Sequence, residues 1–342
     1  MSGTPHGTTS HNAKVETRLL PQSTTGWLAL VALAVAFALF PWFVPTYYVE
    51  LGTSAMIAAM LALSMQSLVG TTGLVSLGHG AFYGLAAYVV YLVSPETAAQ
   101  PIWITLPLAM GAAGAAALIV GLFSLRTTGF FFLMVTLAFG QMIFFIFHDT
   151  KLGGGTDGAY LGKPLISAFG AVLDLPRKQR PIGIYYVALV QLVMMYCGLA
   201  LLLRTLFGRA LEGIRVNEHR MRAIGFDTFK IKLIAFTLAG TLAGAAGHMW
   251  ALHRGFVNPE IVGWHQSAEA LLMILLGGLG SLHGPILGAL ALTGLAEVSQ
   301  LLTERKLLVE GLVILAVVIV LPRGLAGLGS GKFGNRNGGG HG

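Results

Sequence analysis

The chain has 342 residues and a mass of 36.0 kDa; 55% of it is aliphatic, aromatic or sulfur-containing, 10% is charged, and the mean hydropathy is +0.75. A soluble domain carries roughly 25% charged residues and has no means of hiding so much apolar side chain behind so few charges, so a soluble enzyme, a disordered protein and a nucleic-acid binder are excluded and an all-α polytopic membrane protein is expected. The 21 Lys and Arg against 14 Asp and Glu give +7, which in such a protein marks cytoplasmic loops, and the single cysteine, Cys197, excludes an internal disulfide and a cysteine-based metal site.

Residues 1–26 are polar, rich in Ser, Thr, Gly and His, and are expected to be a disordered cytoplasmic lead. A bilayer core of about 30 Å takes about 20 apolar residues per helix. Candidate spans follow at 27–44, 51–70, 74–93, 102–124, 128–147, 183–203, 233–252, 267–278, 283–298 and 307–322. The triplet Ala34-Val35-Ala36 loosely resembles a signal-peptidase site, but it lies mid-run, so the first span is expected to stay uncleaved. About ten transmembrane helices result, some short or broken. The eighth is too short to cross alone, and Gly277-Gly278-Leu279-Gly280-Ser281-Leu282-His283-Gly284-Pro285 separates it from the ninth. Residues 323–342 are Gly-rich and read as a flexible cytoplasmic tail. The apolar, membrane-spanning domain is thus 27–322. Both termini are expected inside, which leaves 148–182 as a long external loop and puts the basic loop 204–232 in the cytoplasm.

Three polar stretches stand out along this path. Gly73-Leu74-Val75-Ser76-Leu77-Gly78-His79-Gly80 opens the third span and is unlike lipid-facing sequence. Its small residues suit close helix packing; a broken backbone there suits a solute path. The same reasoning points to Thr136 and Gln141 as polar groups of the fifth span that face a pore rather than lipid. Within 204–232, the stretch 208–225 has helical periodicity. Ala210, Leu211, Ile214, Met221 and Ile224 fall on one face, Arg209, Glu212, Arg215, His219, Arg220 and Arg222 on the other, and Glu218 is placed to pair with Arg222. Such a helix fits the inner leaflet, with its cations on lipid phosphates, and equally a cytoplasmic protein partner.

The ionisable residues inside spans are His79, His248, Glu269, Glu297 and Glu310, with no paired carboxylates at a span centre. The stretch Gly327 to Lys332 is outwardly like a phosphate-binding loop, yet it has the wrong spacing and no Ser or Thr after the Lys. The histidines have no metal-ligand spacing, and no nucleophile–base pair is evident, so no cofactor, metal site or catalytic residue is expected.

Several motifs occur together in one order. They are Ser76 to Gly84 (SLGHGAFYG), Leu125-Arg126 with Gly129 to Phe132 and Val135 to Phe139, and Gly153 to Gly158 (GGGTDG). Phe207 to Leu211 with Ile214-Arg215 and Ala223 to Gly225, then Gly255 to Glu260, Leu276 to Ser281, Gly284-Pro285 and Gly288-Ala289 complete the set. In order and spacing they resemble the permease subunits of bacterial branched-chain amino-acid ABC importers, the LivM type, over roughly residues 50–325. The resemblance implies a multi-pass protein of the bacterial cytoplasmic (inner) membrane. Its implied partners are ABC ATPase subunits, a second, H-type permease subunit and a soluble substrate-binding protein, all working in a lipid bilayer and without nucleic acid. In such a permease the small and polar residues Ser76, Gly78, His79, Gly80, Thr136 and Gln141, placed where lipid-facing sequence would be apolar, are expected to shape the solute path. The resemblance further implies a coupling helix in which Leu211, Ile214, Arg215, Glu218, Met221, Arg222 and Gly225 face the ATPase. One departure is that Arg220 and Met221 occupy the small-residue pair expected before Gly225. Relatives of this family carry branched-chain amino acids, urea, short amides or other small polar solutes. An ATP-independent transporter or channel is the alternative, and a membrane-embedded enzyme is a third reading.

Overall fold

The computed structural model describes residues 35–94, 100–150, 152–161, 166–168, 171–173, 179–302, 309, 311–312, 315 and 324–325. The predicted lead 1–26, residues 27–34 of the first span, most of the tenth span and nearly all of the tail 323–342 lie outside these residues. Residues 35–39 are helical and pass through a 3-10 turn at Phe40–Trp42. Then come α1 (Thr46–Thr72), α2 (His79–Val93), α3 (Ile102–Ser124), α4 (Phe130–Asp149), α5 (Arg180–Arg204), α6 (Leu206–Ala223), α7 (Thr228–Arg254), α8 (Trp264–Gly277) and α9 (Gly284–Leu302). Among the described residues five helices, α1, α3, α4, α5 and α7, are long and apolar enough to cross a membrane; α2 is apolar but has 15 residues. The chain is an all-α polytopic membrane protein.

The segment 148–182 also carries strand structure, which the apolar-run reading left as plain loop. β1 (Ala159–Tyr160) pairs antiparallel with β4 (Phe256–Val257), and β2 (Ile166–Ala168) pairs with β3 (Ala171–Leu173). Four consecutive glycines or near-neighbours, Gly153, Gly154, Gly155 and Gly158, hold positive φ and let the chain fold back on itself there.

α7 is the centre of the bundle and packs against α1, α2 and α3. Its sequence explains why. A stripe of Ala239, Gly240, Ala243, Gly244 and Gly247 presents almost no side chain, and α3 answers with Ala109, Ala113 and Ala117, all fully buried. A Cβ on Gly240 or Gly244 would run into Ala117 or Ala113, and one on Gly247 into the Tyr83 carbonyl of α2. Without water to drive association, helices in lipid gain by such close approach. α4 is the opposite case: Phe130, Phe131, Met134, Met142, Phe145 and Ile146 remain exposed, an apolar face suited to lipid.

Contacts also fix direction. Ser54, near the start of α1, meets His253 at the end of α7 at 3.1 Å, and Gln191 of α5 donates to the Ala245 carbonyl, so α1 and α5 run opposite to α7. Gly78 lies at Thr136 and Tyr88 stacks on Phe147 at 4.0 Å, so α2 and α4 run parallel. This alternation matches the predicted order of crossings.

Candidate functional site

The third predicted span begins five residues late. Gly73, at φ +74, ends α1 by donating its N–H to the Val69 carbonyl at 3.1 Å. Residues 73–78 are not helical. An open backbone inside a bundle is tolerated only when its polar groups are satisfied by protein. Three hydroxyls do this. Ser76 Oγ accepts from the Gly78 N–H at 3.2 Å, Thr136 Oγ1 of α4 accepts from the Leu77 N–H at 3.2 Å, and Ser267 Oγ of α8 accepts from the Gly80 N–H at 2.7 Å. α2 then starts at His79. Fifteen residues span about 22 Å, short of the ~30 Å bilayer core, so this start lies inside the bundle.

Glycine is required where the neighbours close in. A Cβ on Gly78 would sit 2.7 Å from the Thr136 carbonyl oxygen, and one on Gly80 2.7 Å from the Gly263 carbonyl oxygen. His79 is completely buried, edge-on to Phe82 and Phe236, and neither ring nitrogen has a hydrogen-bond partner among the described residues.

α8 arrives at the same place by a second break. After Gly255 (φ +63) the chain pairs with β1, makes a 3-10 turn at Pro259–Val262 against Gly84, and enters α8 at Trp264 beside Gly80. Two helix N-termini, each the positive end of its dipole, therefore meet beside the break, that of α2 at the fully buried His79 and that of α8 at Trp264, which is 44% exposed. Of the predicted solute-path residues, Ser76, Gly78, His79, Gly80 and Thr136 are brought together here. Gln141 is not; it is half-buried and makes no side-chain hydrogen bond among the described residues. Sequence reasoning missed Ser267 and Gln66. The buried Gln66 amide donates to the Leu279 carbonyl at 2.8 Å and so ties α1 to the turn after α8. An amide inside an apolar run was a usable signal; for Ser267 there was none. Of the ionisable span residues, His248 bonds Thr105 Oγ1 at 2.9 Å and Glu297 accepts from Tyr47 Oη, while Glu310 lies outside the described residues.

The basic loop forms α6, capped by Thr205, but it is not one continuous helix. Asn217, at φ −159 and ψ 97, breaks it, and its Oδ1 caps the second piece by accepting from the Arg220 N–H at 2.9 Å. The break rotates the expected apolar face. Ala210, Leu211 and Ile214 are buried against the bundle, Met221 folds back over Gly213, and Ile224 is 65% exposed. Leu206, Val216, Ile224 and Phe226 are large apolar side chains that loop 204–232 leaves outward. Gly225 lies just past the helix at φ +99, with nothing within 4 Å of an added Cβ.

The predicted Glu218–Arg222 pair forms at 2.6 Å and is larger than expected. The same Glu218 oxygen accepts from Lys232 Nζ at 2.8 Å and Thr228 Oγ1 at 3.0 Å, both on α7. Partial burial alone would raise the Glu218 carboxyl, but the hydrogen bonds from Lys232, Arg222 and Thr228 outweigh it and hold it below the usual carboxylate range. Glu212 is the reverse: burial raises it, and Arg215 offsets only part. Arg215 reaches the other way, its Nη1 donating to the Gly70 carbonyl near the end of α1.

The family model described as branched-chain amino acid transport system / permease component matches residues 47–321. The chain is 33% identical over 318 residues to the high-affinity branched-chain amino acid transport system permease protein LivM of Escherichia coli K12, covering 87% of this chain and 74% of that one. The LivM protein of Salmonella typhimurium LT2 matches to the same extent. The autoinducer 2 import system permease protein LsrC of Klebsiella pneumoniae is 32% identical over 184 residues, 48% of this chain and 53% of that one. No solved structure matches the chain.

Proposed function

Because the chain belongs to the branched-chain amino acid transport permease family, a multi-pass protein of the inner membrane that serves an import system, we propose that it carries a branched-chain amino acid, as one permease of an ABC importer. The work is shared with ABC ATPase subunits, an H-type second permease and a soluble substrate-binding protein. The chain itself catalyses no reaction. The observation that carries this reading is the pair of helix starts at the buried His79 and the exposed Trp264, which flank an unwound backbone. Discontinuous helices of this kind present half-helix ends to a small solute at membrane depth. Ser76, Gly78, His79, Gly80 and Thr136 shape that region, with Gln141 further along α4. Residues 27–322 act as the permease domain, flanked by cytoplasmic segments 1–26 and 323–342.

Loop 204–232 is the coupling element. Besides Leu206 at its start, its outward apolar residues Val216, Ile224 and Phe226 lie around the break and Gly225, and that arrangement fits a shaped protein cleft better than a lipid surface, where apolar and cationic faces lie along one continuous helix. Leu211 and Ile214 seat the element on the bundle, and Glu218 with Arg222 fastens it to α7.

The test is uptake of labelled leucine, isoleucine and valine by proteoliposomes holding this chain with its ATPase, second permease and binding protein. Uptake that requires ATP and all four components is expected. Uptake by this chain alone, or ATP hydrolysis by it alone, overturns the reading.

A further inference from the structure

We infer that Arg215 is the positioning residue through which the coupling element controls the break between α1 and α2; the inference rests on the coupling role proposed for loop 204–232.

The argument begins with the end of α1. The last carbonyls of a helix lack intrahelical donors, and a cation there is favoured by both hydrogen bonding and the dipole. In a continued helix the Gly70 carbonyl would receive the N–H of Leu74. That N–H is instead turned to Thr72 Oγ1 at 3.3 Å, because Gly73 at φ +74 has taken the chain out of the helix. The Arg215 guanidinium supplies the donor that Leu74 withholds, and its aliphatic stem lies 3.8 Å from a Cβ position on Gly73. The point where α1 stops is thus capped by a side chain of α6.

The two halves of α6 are anchored to different spans. Leu206 to Val216 carries Arg215 and holds α1; the piece after Asn217 carries Glu218 and holds Thr228 and Lys232 of α7. α7 is locked to α2 and α3 by its glycine stripe. A push on α6 therefore bears on a rigid block at one attachment and on the end of α1 at the other. The unwound residues 73–78 lie directly after that end and lead into the interior site. Withdrawing Arg215 leaves the Gly70 carbonyl to the Leu74 N–H, which winds α1 onward into the break and shifts the residues that follow.

The experiment uses the assembled transporter in nanodiscs, with Arg215→Ala, Arg215→Lys and, as a control, Arg126→Ala, an exposed cation in the turn between α3 and α4. Amide exchange over 70–78 and the ratio of solute carried to ATP hydrolysed are both measured. In Arg215→Ala, exchange over 70–78 is expected to change by about tenfold or more, as loss of a charged hydrogen bond predicts. Uptake is expected to fall about tenfold while hydrolysis stays within about twofold, since the partner face is intact. Arg215→Lys recovers part of both, and Arg126→Ala resembles the wild type. Unchanged exchange in Arg215→Ala overturns the inference. So does parallel loss of uptake, hydrolysis and assembly, which would make Arg215 a partner contact. If the wild-type assembly carries no amino acid yet exchange responds to Arg215→Ala, the transport reading fails and the tether stands.

Discussion

Gly78 and Gly140 face each other across the α2–α4 contact and make a sharp pair of tests. A Cβ on Gly78 would meet a backbone carbonyl at 2.7 Å, which cannot swing aside, whereas one on Gly140 would meet Gly78 Cα at 3.5 Å, ordinary contact. Gly78→Ala is expected to cost about 1–3 kcal/mol and to lower the melting temperature of the solubilised protein and its uptake; Gly140→Ala is expected to leave both near wild type. Glu218 gives a pH test. Its folded carboxyl lies below the ordinary glutamate value. The stability it contributes is therefore complete above that value and is lost as pH falls through the lower folded one. Melting followed from pH 7 down to pH 3 should show a loss on the acid side that Glu218→Gln lacks. At neutral pH that variant should already melt lower, since the Lys232 side chain, 7% exposed, loses its anion, at a cost of about 1–3 kcal/mol. A flat difference between the two proteins across pH would remove the Glu218 cluster as a stabilising joint.

α6 is the element whose role depends most on shape. Gly225→Ala meets no neighbour, so any loss comes from the φ of +99 that an L side chain resists. It should lower ATP-driven uptake several-fold without reducing membrane insertion, and Ile224→Asp, on an exposed position, should release the ATPase in a detergent pull-down while the melting temperature holds. Retention of the ATPase by Ile224→Asp would mean that the partner face lies elsewhere on the loop. The long elements were legible in the sequence because a span announces itself by 20 apolar residues, and α1, α3, α4, α5 and α7 each carry such a run. The breaks were legible only in outline. Gly73 to Gly80 signalled an irregularity, but where it ends depends on hydroxyls supplied by Thr136 and Ser267, 59 and 187 residues away. No local pattern encodes such distant partners. In α6 the heptad-like spacing concealed Asn217, whose helix-breaking conformation is held by its own side chain and by the separate anchoring of the two halves. For that reason Ile224, which the periodicity puts on one face with Leu211 and Ile214, is 65% exposed while those two are buried.

At the scale of the molecule, the alternation of helix directions predicts which loops see which side. In a Cys197→Ala background, a membrane-impermeant thiol reagent should label a cysteine at Tyr160, which is 71% exposed, in intact cells, and one at Ile224 only after permeabilisation. Reversal of the two would invert the orientation. The glycine-to-alanine seams that unite α2, α3 and α7 bear also on how the protein is made. At 15 residues α2 is a poor bilayer segment by itself, yet its closest partners, Gly240 and Gly247, emerge from the ribosome long after it. About 130 residues lie between the two helices, so at about 5–20 residues per second α2 waits roughly 7–30 s for its groove. During synthesis it must shelter at the lateral gate of the translocon, or against an insertion chaperone, until α7 arrives. A truncated nascent chain that stops before Thr228 should therefore hold α2 in a state extractable from the bilayer, and one extended past Arg254 should not.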